Sequence, residues 1–242
     1  MKYGETAFDI FYLAFAIISA VVILRRARGR EDKLCLRMGL AALILGCGDA
    51  FHLIPRVIDH FSDADMTAAL GAGKLITSLT MTVFYLLLYY IWRELRGMTV
   101  DHGPIDWSNT KERPRLTYVV TVLAVLRFVL CMRRENGWLD DSGTLAWAVI
   151  RNVPFVALGL IVCVLYFGLR KTEDGRTPDA GPGPAYAFRR VWLLILLSFL
   201  FYIPVAVGAD FVPMLGMLML PKTVCYILMI RAFLLASRSA PA

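Results

Sequence analysis

Two stretches of the sequence carry groups that bind charge or move protons where the surrounding residues are apolar. In Gly46-Cys47-Gly48-Asp49-Ala50-Phe51-His52-Leu53-Ile54-Pro55-Arg56, the carboxylate of Asp49, the imidazole of His52 and the guanidinium of Arg56 stand at i, i+3 and i+7, one stripe of a helix. Lys222 follows Pro221 inside the last apolar run. An ionisable side chain within a bilayer costs about 2.5–3.5 kcal/mol on insertion scales, so such a residue marks a binding or proton-handling role by default. The same reasoning selects Asp9 and Tyr12 near the start of the chain, Lys74, Arg127, the Arg151-Asn152 pair and Tyr202.

The elements that position these groups follow from composition. The 242 residues are 58% hydrophobic and 19% charged, with a mean hydropathy of +0.62. Soluble domains average about 45–50% apolar and ~25% charged, so disorder is excluded and too little polarity remains for a water-facing shell. Apolar runs fall at 7–24, 38–57, 68–92, 116–132, 146–169, 190–208 and 212–236, close to the roughly 20 residues that cross the hydrocarbon. An all-α polytopic membrane protein with seven transmembrane helices is expected, as one unit over 1–242. The first run contains Asp9 and lacks a cationic start and a cleavage site, so it is a retained helix rather than a signal peptide.

Loop charge sets the orientation. Arg25, Arg26, Arg28, Arg30, Lys33 and Arg37 lie between the first two runs, and similar cations lie between the third and fourth and between the fifth and sixth. The alternate loops are poor in cations or balanced by acids such as Asp59, Asp63 and Asp65. The positive-inside rule then places the N-terminus outside and the C-terminus inside a bacterial cytoplasmic membrane. Trp92 and Trp192 fall at inner ends and Trp138 and Trp147 at an outer one, as indole's preference for the headgroup layer requires. Topology thus accounts for the formal charge of +7, and no nucleic-acid partner is expected.

The Gly/Pro-rich segment 172–186 reads as a flexible cytoplasmic linker. An offset of 149 carries Phe51–Pro55 onto Leu200–Pro204, and an offset of 148 carries Lys74 onto Lys222. A parallel duplication, repeats 1–96 and 145–238 joined by a linker helix at 116–132, follows from that match. This three-plus-one-plus-three plan resembles the PQ-loop and SWEET transporters in organisation alone, because the chain has no Pro-Gln dipeptide.

Three chemistries compete for the polar residues. A lysine in the last of seven helices is where microbial rhodopsins attach retinal, but Leu218 occupies the place of their aspartate and no acid lies between Leu70 and Trp92. A membrane-embedded, lipid-modifying hydrolase would use Asp49 and His52, with Cys47 nearby, yet no HExxH or GxSxG pattern occurs and His102 lies in a loop remote from His52. No metal and no cofactor is expected. The polar residues instead gather toward the outer ends of the runs, which implies an outward-facing cavity with a cationic excess: Lys74, Lys222, Arg56, Arg127 and Arg151 against Asp49 and Asp9. The expected ligand-binding set is Asp9, Asp49, His52, Lys74, Arg151, Asn152, Tyr202 and Lys222. Its partner is a small anionic or zwitterionic solute, with Asp49 and His52 exchanging a proton and Thr77, Ser78, Thr80 and Thr82 lining a route inward. A carrier is the first expectation, and a seven-helix receptor the alternative.

Overall fold

In the computed structural model, residues 2–30, 32–62, 64–98, 114–140, 142–171, 183–208 and 211–239 are described, and they are helical with no strand among them. The long helices are α1 (Lys2–Arg30), α2 (Lys33–Phe61), α3 (Thr67–Met98), α4 (Pro114–Cys131) and α5 (Leu145–Gly168). A short α6 (Pro184–Ala187) leads into α7 (Val191–Gly208), and a 3-10 segment, Pro213–Leu218, leads into α8 (Met219–Ser239). Six helical stretches are long and apolar enough to cross a membrane; the chain is a multi-pass membrane protein. The loop at 99–113, with His102, and residues 172–182 of the expected linker lie outside the described residues. The end of that linker, from Pro184, is helical.

Local chemistry starts the helices where the charge pattern changes. Asp32 caps α2, its carboxylate accepting from the backbone N–H of Leu34 at 2.8 Å and of Cys35 at 3.3 Å, which satisfies donors that have no partner inside the helix. Asp65 accepts from the Thr67 N–H at 3.0 Å just before α3, and those bonds hold its carboxyl below the usual range. Both α1 and α2 have 29 residues, roughly 43 Å at 1.5 Å per residue. They outrun the apolar cores of the sequence because their charged ends continue the helix beyond the hydrocarbon.

The last apolar run departs from expectation. It is not one helix from 212: Pro213 opens a 3-10 segment and α8 begins only at Met219. Pro221 therefore stands in the first α-helical turn, where a missing N–H is tolerated, and Lys222 lies inside the continuous helical stretch Met214–Arg238.

Helices α1, α2 and α3 pack in chain order, α5, α7 and α8 do the same, α8 closes against α1, and α4 bridges α3 and α5. The α2–α3 contact is close because glycine forms it. A Cβ on Gly73 would sit 2.3 Å from the Phe51 carbonyl oxygen, and one on Gly48 would sit 2.0 Å from Thr80 Oγ1. The outward faces carry exposed Ile18, Val119, Val164 and Leu200, as helices facing lipid do.

Candidate binding cavity

The stripe on α2 meets a cavity of about 360 Å³. Asp49, His52 and Arg56 line it from α2, Glu5 and Asp9 from α1, Thr77 from α3, and Lys222 and Tyr226 from α8. It lies at the bundle end where α1 begins and α2 finishes. Its size is near the lower end of the roughly 300–1,000 Å³ typical of small-ligand pockets.

Each charge has a distinct support. Tyr12, fully buried on α1, donates its hydroxyl to Asp49 Oδ2 at 2.5 Å. Lys222, 8% exposed, places Nζ 4.6 Å from the Tyr202 ring centre and 5.5 Å from that of Tyr226, distances at which an aromatic face attracts a cation. Arg56 pairs with Glu5 at the mouth, which ties the end of α2 to the start of α1. Asp9 is 6% exposed. His52 Nδ1 is buried without a hydrogen-bond partner among the described residues.

Asp49 and Lys222 line the same cavity but do not form one of the ion pairs among the described residues. A structural ion pair would place the charges in contact and satisfy both. Here a phenol supports the carboxylate and two rings the ammonium, and the two charges feel each other across the cavity without touching.

Of the expected residues, Asp9, Asp49, His52 and Lys222 therefore come together. Tyr202 joins at one remove, with its ring under Lys222 and its hydroxyl donating to Asn152 Oδ1 at 2.8 Å. Asn152 thus orients the ring rather than lining the cavity. Arg151 does not join: it donates to Asn136 Oδ1 at 2.9 Å and lies 4.2 Å from the Trp138 ring centre. Lys74 does not join either, being exposed on α3 outside the lining. Its expected equivalence with Lys222 places two lysines in unlike surroundings.

Three of the four hydroxyls of the expected polar route bond within α3. Ser78 donates to Lys74 O at 2.8 Å, Thr80 to Ile76 O at 3.0 Å and Thr82 to Ser78 O at 2.9 Å, so these hydroxyls are satisfied on their own helix. Thr77 alone reaches across, donating to Gly48 O at 3.0 Å, one residue before Asp49.

Sequence reasoning left Tyr12, Thr77 and Tyr226 out of the binding set, and Arg127, expected among the cavity's cations, does not line it. Tyr226 was legible as the i+4 neighbour of Lys222. Arg127 turns into the bundle: it is 2% exposed, with its guanidinium 3.6 Å from the Phe155 ring centre and Nε and Nη1 without hydrogen-bond partners among the described residues. Phe155 belongs to an aromatic cluster with Tyr85 and Phe199, ring centres 5.1–5.4 Å apart. Further from the cavity Ala16, Ala20, Ala41 and Ala42 are fully buried, closing the bundle.

Among the described residues no three His, Cys, Asp or Glu side chains are grouped as a metal would need. Cys47 is exposed and outside the lining, so it does not complete a nucleophilic set with Asp49 and His52. No family model, curated protein or solved structure matches the chain.

Proposed function

We propose that the chain is a carrier for a small zwitterionic or anionic solute, with seven spans, its N-terminus outside and its C-terminus inside a bacterial cytoplasmic membrane. In this proposal Pro114–Cys131 is the seventh span and the three basic loops are cytoplasmic. The observation that carries it is a pair of opposite charges, half-buried Asp49 and buried Lys222, on one cavity without an ion pair between them. The acidic group of the solute meets Lys222, and its cationic group, where it has one, meets Asp49. Asp49 and His52 are the seats for a proton that travels with it.

Uptake into proteoliposomes by the full-length protein tests this, with radiolabelled α-amino acids, taurine, succinate and phosphate as probes and an imposed pH gradient. Saturable uptake of at least one probe, abolished by Asp49→Asn and by Lys222→Gln, is the expected outcome. Binding without flux favours a receptor instead, for which the closed packing around Ala16, Ala20, Ala41 and Ala42 is the supporting observation. Neither binding nor flux for any probe overturns both.

A further inference from the structure

At the opposite end of the bundle, where α8 finishes, a groove of about 750 Å³ runs between the start of α7 and the last three turns of α8. Its two halves differ in chemistry. One wall is apolar, formed by Leu194, Leu228 and Leu235, and Leu228 and Leu235 are 39% and 44% exposed. The other carries Arg189, Arg190, Arg231 and Arg238, and among the described residues no acid lines the groove.

Topology explains arginines in loops, but not this arrangement. Leu228, Arg231, Leu235 and Arg238 form one stripe of α8 at i, i+3, i+7 and i+10. Arg231 is inside the helix, about 10 Å along its axis from Arg238. The neighbouring cations at this end are already engaged: Arg37 pairs with Glu94, Arg26 donates to Ser237 Oγ at 2.7 Å and Arg30 to Ser237 O at 3.3 Å. Arg189 lies 4.6 Å from the Tyr186 ring centre, which braces it at the rim. For Arg190, Arg231 and Arg238 no ion pair is found among the described residues.

We propose that this groove binds one anionic phospholipid of the adjoining leaflet, its phosphate held by Arg190, Arg231 and Arg238 and its acyl chain laid along Leu194, Leu228 and Leu235. Guanidinium groups grip phosphate oxygens in pairs, and basic pockets between transmembrane helices take acidic headgroups. The exposed leucine wall selects a lipid over a free phosphate, because only the lipid supplies an apolar tail at that height. The site is independent of the solute cavity and of the direction in which the chain is inserted.

Native mass spectrometry of the full-length protein, with phosphatidylglycerol and phosphatidylcholine of identical chains, tests it. Wild type is expected to retain phosphatidylglycerol in preference to phosphatidylcholine. Arg190→Gln and Arg231→Gln should each weaken that retention about fivefold, and Arg231→Lys, which keeps the charge but loses the paired grip, should fall between wild type and Arg231→Gln. Arg25→Gln/Arg28→Gln, which removes two exposed cations at the same end of the bundle, should leave retention unchanged. Leu228→Trp, a substitution on the exposed wall, should reduce it while every arginine remains, so the outcome does not depend on the folding of the charge variants. Equal retention of both lipids, equal loss in the Arg25/Arg28 control, or full competition by millimolar inorganic phosphate would overturn the proposal.

Discussion

The two ends of the bundle handle charge in opposite ways. At the end where α1 begins, Asp9, Asp49, His52 and Lys222 are drawn inside, between helices, and line a space. At the other end the arginines stay on the rim, paired as Arg37 with Glu94 or bonded to helix-end carbonyls as Arg30 is, while the interior is closed by Ala16, Ala20, Ala41 and Ala42. Rim charges cost little to keep, since water or lipid headgroups solvate them. Interior charges carry a desolvation cost that Tyr12 and the Tyr202 and Tyr226 rings offset only in part. In the proposed reading the first end handles the solute and the second anchors the chain.

The sharpest way to break that contrast is to remove an interior charge. Asp49→Asn or Lys222→Gln deletes one charge-assisted contact to the solute, worth about 1.5–3 kcal/mol, so affinity should fall about 10- to 150-fold in an equilibrium binding assay. An interior charge that serves only stability would instead lower the melting temperature and leave affinity intact. Enlarging the packed end probes the converse. Ala20→Leu adds volume where nothing yields and should cost about 1–3 kcal/mol of stability, read as a lower thermal midpoint in detergent, with affinity of the folded fraction unchanged.

A smaller effect is expected from Tyr12→Phe, which removes the 2.5 Å hydrogen bond to Asp49 but keeps the ring. The loss of about 1 kcal/mol should weaken solute binding roughly fivefold. Smallest of all is Arg37→Gln at the rim. Its pair with Glu94 is about a third exposed on each side, and such pairs contribute about 0–1 kcal/mol, so neither stability nor binding should move measurably. A large change in binding there would erase the distinction between the two ends.

How much of this was legible in the sequence differs by residue. The stripe of Asp49, His52 and Arg56 was, because residues at i, i+3 and i+7 on a helix share a face whatever packs against it. Long apolar helices were too, since crossing a bilayer sets a length that the chain must meet. Lys222 was located as a buried cation inside the last apolar run; the change from 3-10 to α just before it was not, because Pro213 and Pro221 read equally well as kinks and as starts. Lys74 and Lys222 look alike in sequence, both lysines in apolar runs. What separates them is which face of α3 meets α2, and that follows from Gly71 and Gly73 letting other backbone approach on the faces beside Lys74, a tertiary fact with no period in the sequence. Arg127 was visible as an arginine among Leu, Val and Phe, but the ring of Phe155 that receives it comes from a different helix.

The central claim, that Asp49 and Lys222 form one site for a solute, is tested most directly by ligand-induced thermal stabilisation of the purified full-length protein. The probes are the α-amino acids, taurine, succinate and phosphate, each against wild type, Asp49→Asn and Lys222→Gln. A probe present at about a hundred times its dissociation constant stabilises its folded partner by about 2.7 kcal/mol. At least one probe should raise the wild-type midpoint by the corresponding amount, and at the same probe concentration that stabilisation should fall to about 0.3–1.4 kcal/mol in both variants. A probe that stabilises wild type and both variants equally, or a wild type that no probe stabilises, would contradict it.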